Sequence, residues 1–177
     1  FNCPLYFVLG NHDVGYIAPI GYKKGGPSYK SLKDASEIYL DSPSPFYKFF
    51  LDNRKFIVLA SILVDTGEKF KEMRQQQFTF LQTELSDNIS TFLLIHNPFS
   101  LFNDSLQKII KDNSKNIEAI ICGDTHSRLV GRVISWFLPF RGKIIPTSSV
   151  IGFFGVGCGF TELNIDISNY KFSYRHL

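Results

Sequence analysis

Leu9-Gly10-Asn11-His12-Asp13 sets an amide, an imidazole and a carboxylate on consecutive residues. An amide oxygen can bind a metal ion, an imidazole can donate a proton, and a carboxylate can orient the donor. The same residues also suit a tight turn, because Gly-Asn is common turn chemistry and Asp accepts local backbone donors. Two further stretches have a similar character: His96-Asn97-Pro98 and Gly123-Asp124-Thr125-His126. Three of the 4 His lie in these stretches, and the remaining one, His176, is next to the last residue. A single His after an apolar run is ordinarily a core or loop residue. Three in equivalent settings argue for one shared site.

Each stretch follows an apolar run that reads as a buried strand: Pro4 to Val8, Thr91 to Ile95, and Ile117 to Cys122. Parallel neighbours would bring the three strand ends to one edge, where open α/β sheets carry their ligands. Phe46 to Leu51 and Lys55 to Leu63 read as strands joined by Asp52-Asn53-Arg54. Phe70 to Leu85 has helical spacing through Phe70, Met73, Gln77, Phe80, Leu81 and Leu85, and Ser105 to Lys111 is a second helix. Arg128 to Phe137, Lys143 to Thr147, Phe160 to Ile167 and Tyr170 to Tyr174 read as successive β segments, with a hairpin turn at Asp166 to Asn169. The order, mixed α and β followed by strands alone, implies a layered α/β sandwich whose second sheet is largely antiparallel.

Val14 to Pro45 is rich in Gly, Pro, Tyr, Lys and Ser. It reads as a long excursion above the sheet with a helical turn near Leu32 to Ile38, placed to form the rim of a site. Tyr16, Tyr22, Lys23, Lys24 and Tyr29 would suit a phosphate-bearing ligand with a planar group, but such residues occur in any exposed loop. Arg128 could touch phosphate or lie on the surface. The glycines from Gly152 to Gly159 read as tight turns, since no Lys-Ser/Thr follows to make a nucleotide loop.

At 177 residues, 44% of them hydrophobic and 15% aromatic, the chain suits a single domain, 1–177, with a sizeable core. The net charge of +3 is scattered and forms no basic stripe, so nucleic acid is not implied as a partner. The longest glycine-rich apolar run, Val150 to Phe160, is too short to span a bilayer. Cys3, Cys122 and Cys158 make neither a disulfide framework nor a zinc motif, and Cys122 reads as an inert core residue. The chain begins at Phe1 rather than Met, which implies a fragment or a processed or cropped chain. Localisation and oligomeric state are left open.

The ordered set of GNHD, a lone His after an apolar strand, and G-x-x-H resembles the calcineurin-like metallophosphoesterase superfamily. That superfamily's pattern runs D-x-H, G-D-x-x-D, G-N-H-D/E, H, and G-H-x-H. Lys55-Phe56-Ile57-Val58-Leu59-Ala60-Ser61, the helix with Gln77 and Leu81, and the strand into His96 are similar to the branch near cyclic-nucleotide phosphodiesterases and purple acid phosphatases. The resemblance implies a four-layer α-β-β-α sandwich of two mixed sheets, truncated at its N-terminus. It implies hydrolysis of a small-molecule phosphoester, diester or monoester, at a dinuclear centre. Asn11, His96 and position 124 would bind one ion and His126 the other. Mixed N/O ligation suits Mn, Fe or Zn. His12 would face the substrate as proton donor, and Asp13 would orient the His12 ring.

Two departures temper that expectation. The superfamily has His where this chain has Asp124. Aspartate can occupy the same coordination place and would favour harder ions such as Mn or Mg, or the ligand role is lost and the chain is a catalytically impaired binding or scaffold module. D-x-H and G-D-x-x-D are absent and would lie before Phe1. The chain is therefore expected to carry part of the site, to be inactive alone, and to be poorly stable in isolation.

Overall fold

The computed structural model describes residues 4–11, 13–14, 16–17, 21–22, 28–124, 128–140, 143–147, 159–165 and 170–176. Its elements are β1 (Tyr16–Ile17), β2 (Gly21–Tyr22), α1 (Tyr29–Leu40), β3 (Tyr47–Leu51), β4 (Arg54–Leu59), α2 (Ser61–Asp65), α3 (Lys71–Leu85), β5 (Thr91–Ile95), α4 (Asp104–Asp112), β6 (Ile117–Cys122), α5 (Arg128–Phe137), β7 (Ile144–Pro146), β8 (Gly159–Ile165) and β9 (Tyr170–His176). Short 3-10 turns cover Gly67–Phe70 and Pro98–Phe102.

The main sheet has the order β3-β4-β5-β6-β7. β3 and β4 form an antiparallel hairpin, and β4 through β7 are parallel. The hairpin turn is Asp52-Asn53, both at positive φ (46° and 62°), as a two-residue turn matching strand twist requires. β5 and β6 fall where the apolar runs predicted them, because strands buried on both faces read as continuous apolar stretches.

The pleat sorts each parallel strand between two faces. Ile57, Leu59, Leu93, Ile95, Ile120 and Cys122 face the helices and pack with Leu81 and Leu85 of α3, Leu106 and Ile110 of α4, and Ile134 of α5. Phe56, Phe92 and Ala119 take the other face, where Phe49, Phe56 and Phe92 stack at 4.9 Å intervals. A separate small core joins Leu9 and Val14 to Leu32 and Ala35 of α1 and to Ile62 and Leu63 of α2.

Four sequence expectations are corrected. Pro4 to Val8 is not a buried strand: Leu5, Tyr6 and Phe7 are exposed, and no described strand pairs with them. The run is held by Tyr6 stacked on Phe49 and by the Tyr47 hydroxyl donating to the Phe7 carbonyl oxygen. The single helical turn expected near Leu32 to Ile38 is a twelve-residue helix, started by a capping box in which Ser28 and Ser31 satisfy each other's amides. The strand expected to reach Leu63 ends at Leu59, and α2 follows. Arg128 to Phe137 is helix rather than strand. Its β-branched and aromatic residues suit a strand, yet Ile134 and Leu138 are buried at a four-residue spacing. A helix is what a crossover from β6 to the parallel strand β7 needs. β7 therefore joins the main sheet, and the antiparallel pair is β8–β9. The turn expected at 166–169 lies outside the described residues. Among the described residues no helix is long and apolar enough to cross a membrane.

Candidate metal centre

β5 and β6 run parallel with Ile95 beside Cys122, so the chain leaves both strands at the same edge. The Gly123 amide donates to the His96 carbonyl oxygen at 2.9 Å, adding one rung beyond the strands. This register delivers His96 and Asp124 to neighbouring positions. Asp124 has φ 60°, a left-handed conformation that Asp tolerates better than most residues.

The third contribution arrives from a turn. Gly10 to Asp13 is closed by the Gly10 amide donating to Asp13 Oδ2 at 2.8 Å. Leu9 and Val14, on either side of it, are 3% and 2% exposed and anchor the turn against α1 and α2. Asp13 thus serves its own turn, the plainer of its two expected uses. Whether it also meets the ring of His12 falls on a residue outside the described ones, as does His126.

His96 stands at the meeting point. Its Nε2 lies 3.2 Å from Asn11 Oδ1 and 3.3 Å from Asp124 Oδ1. The ring passes so near Gly10 that a Cβ there would come within 2.8 Å of Nε2, and one on Gly123 would come within 3.3 Å of Nδ1. Glycine in both motifs therefore makes room for this imidazole. One nitrogen and two oxygens converge, with separations close to the edge of a coordination sphere. That edge is about 3.0 Å for octahedral and about 3.4 Å for tetrahedral geometry at ligand distances near 2.1 Å. The set could hold a divalent cation of the type that accepts mixed N/O donors. Among the described residues no group of three His, Cys, Asp or Glu is positioned for a metal; here the third donor is the amide of Asn11.

A fourth polar residue sits beside this edge and was missed in the sequence. Asp65, the last residue of α2, accepts from Asn97 Nδ2 at 2.8 Å and from the Ser100 hydroxyl at 2.6 Å. Crowding of its carboxyl by protein atoms raises its pKa above the ordinary carboxylate value. The Ser100 and Asn97 hydrogen bonds oppose that rise, the charge of Asp124 adds to it, and His96 opposes it. The sequence signal was present: Asp65 follows the apolar run Ile62-Leu63-Val64, as the other site residues follow theirs. Upstream of α2, the fully buried Gln77 of α3 clamps Ala60, accepting from its amide at 2.8 Å and donating to its carbonyl. Burial pushes the Cys122 thiol up to about 12, so it stays protonated and unreactive, as its core position led us to expect.

Comparison with curated proteins finds no match. The family model for calcineurin-like phosphoesterases matches residues 1–128, a span that runs from before the Gly10 turn, through His96, to the turn at Asp124. By that match this chain belongs to the calcineurin-like phosphoesterase family, whose members carry out metal-dependent hydrolysis of small-molecule phosphoesters, generally with two divalent ions.

Proposed function

We propose that the protein is a dinuclear metallophosphoesterase in which Asn11, His96 and Asp124 ligate one ion and His126 the other. The observation that carries this reading is the approach of Asn11 Oδ1 and Asp124 Oδ1 to the same nitrogen of His96. The donor set favours Mn, Fe or Zn, and the carboxylate of Asp124 tilts the preference toward Mn. Bound there, the ions would neutralise the phosphoester oxygens and acidify the attacking water. His12 gives a ring proton to the leaving oxygen as the P–O bond breaks. Asp13, whose carboxylate braces the turn at Gly10, orients that ring. Residues 1–177 form one domain, and the Phe49–Phe56–Phe92 face of the main sheet suits a second layer of a four-layer sandwich.

The test is hydrolysis of p-nitrophenyl phosphate and bis(p-nitrophenyl) phosphate by the full-length protein with Mn, Fe or Zn. Metal-dependent release abolished by His96→Ala is expected. A folded protein that binds metal but cleaves neither ester with any of the three ions would overturn the reading. His12→Ala should slow the reaction with metal content retained; loss of metal would reverse the role given to His12.

Asp124 also favours a second reading, a binding module on the same fold with an impaired site, because the negative charge replaces a neutral imidazole in the family pattern. Metal content together with turnover separates the two: two bound ions per chain with metal-dependent cleavage support the enzyme, and no bound metal supports the module.

A further inference from the structure

We infer that Asp65 is a positioning residue for the metal site: it fixes the direction in which the chain leaves β5 and so holds His96 in place. This inference rests on the proposed ligand role of His96. The ring of His96 is closely approached by Gly10 and Gly123, but its backbone must also be held. On one side that is done by the β5–β6 ladder, through the Gly123 amide and the His96 carbonyl. On the other side the next residue, Asn97, opens the 3-10 turn Pro98–Phe102, with its Oδ1 accepting from the Phe99 amide at 2.9 Å. That leaves the Asn97 Nδ2 group, and Asp65 Oδ2 accepts from it. The other Asp65 oxygen accepts from Ser100, one turn further along. One carboxylate therefore grips both ends of the first turn after His96.

Asp65 is itself held. α2 begins immediately after β4, where Gln77 clamps Ala60. Ile62 and Leu63 of α2 are buried in the small core that also anchors Leu9 and Val14. The same short helix thus braces the Asn11 turn through its apolar face and the His96 turn through its terminal carboxylate. Two donors from separate parts of the chain are referenced to one element, which is how supporting residues keep a site to the tolerance that coordination demands.

The experiment measures Mn2+ affinity by calorimetric titration of the full-length protein, with far-UV circular dichroism and a melting curve on each variant. Asp65→Ala should weaken Mn2+ binding about tenfold at a temperature where the fold is intact. Asp65→Asn should give an intermediate loss, because the amide can still accept from Ser100 but sets a second NH2 against Asn97. A purely structural role would lower the melting temperature of both variants and leave Mn2+ affinity at the wild-type value, and that result would overturn the inference. His96→Ala, run alongside, separates the two ideas. If it leaves Mn2+ affinity unchanged, the ligand role fails and the inference with it. If it abolishes binding while Asp65→Ala does not weaken it, only the positioning role fails.

Discussion

Gly10 and the imidazole of His96 occupy adjoining space with nothing to spare: a Cβ on Gly10 would lie 2.8 Å from Nε2 and 2.9 Å from Cε1. Two residues 86 positions apart therefore specify each other, and the glycine belongs to the site. Gly10→Ala must push the ring away from Asn11 Oδ1 and Asp124 Oδ1. A displacement approaching 1 Å can cost about a hundredfold in activity. Gly123→Ala, with its nearest approach at 3.3 Å to Nδ1, should be milder. Metal titration and turnover of both variants check the ranking; equal effects would show that the ring is not confined from the Gly10 side.

Lys55 is fully buried, and its Nζ donates to the Glu84 carbonyl and to Asp87 Oδ1 and Oδ2 at 2.6 and 2.7 Å. The Glu84 carboxylate stands further off, at 3.9 Å. Removing Asp87 leaves a buried ammonium with only the Glu84 carboxylate nearby; because Asp87 is half exposed, the cost falls below the roughly 3–5 kcal/mol of breaking a fully buried pair. Lys55→Met removes the buried charge instead, while Asp87, half exposed, returns to water. Asp87→Ala should therefore be the more destabilising change in urea unfolding. The opposite order would mean that the ion pair contributes less than the packing of the lysine stem.

The same pair sets a pH dependence. Burial pushes the Asp87 carboxyl up, but the Lys55 hydrogen bond, the Ile89 amide and the charges of Lys55 and Lys48 outweigh it, so its pKa lies below the ordinary 3.8. A carboxylate with a lowered folded pKa stabilises fully above 3.8 and loses that contribution as pH falls through the folded value. Asp65, shifted upward, acts in the opposite direction, so the wild-type curve alone mixes the two. Subtracting the Asp87→Asn curve isolates the pair. The stability gap should be constant from neutral pH down to about 4 and close below it. A gap that persists at pH 2 would assign the loss to shape rather than charge.

The sequence made β5 and β6 legible because their two buried faces leave unbroken apolar runs bounded by turns. It made Asn11, His96 and Asp124 legible because each follows such a run or turn. The same cue misassigned Ile62-Leu63, since a short buried helix and a buried strand look alike in composition. That error concealed Asp65. Arg128 to Phe137 was misread for the related reason that β-branched and aromatic residues suit either state until packing decides. Pro4 to Val8 has strand composition but no ladder partner among the described strands. The spacer role of Gly10 and Gly123 could not be read locally, because it depends on a ring supplied from elsewhere in the chain.

Gln77 links the core to the site and offers a final test. Its side chain is fully buried on α3 and hydrogen-bonds both backbone groups of Ala60, where β4 ends. Gln77→Leu keeps the bulk and removes both hydrogen bonds, leaving the Ala60 amide without its partner inside the protein, while the Ala60 carbonyl keeps the Leu63 amide. A buried polar group stripped of its partner costs about 1–3 kcal/mol. The strand–helix junction that carries Asp65 would loosen at the same time. Urea unfolding should show a loss in that range, together with weaker Mn2+ binding in the folded protein. A variant with wild-type stability would mean that the Ala60 amide finds another partner and that α2 is fixed by its apolar contacts alone.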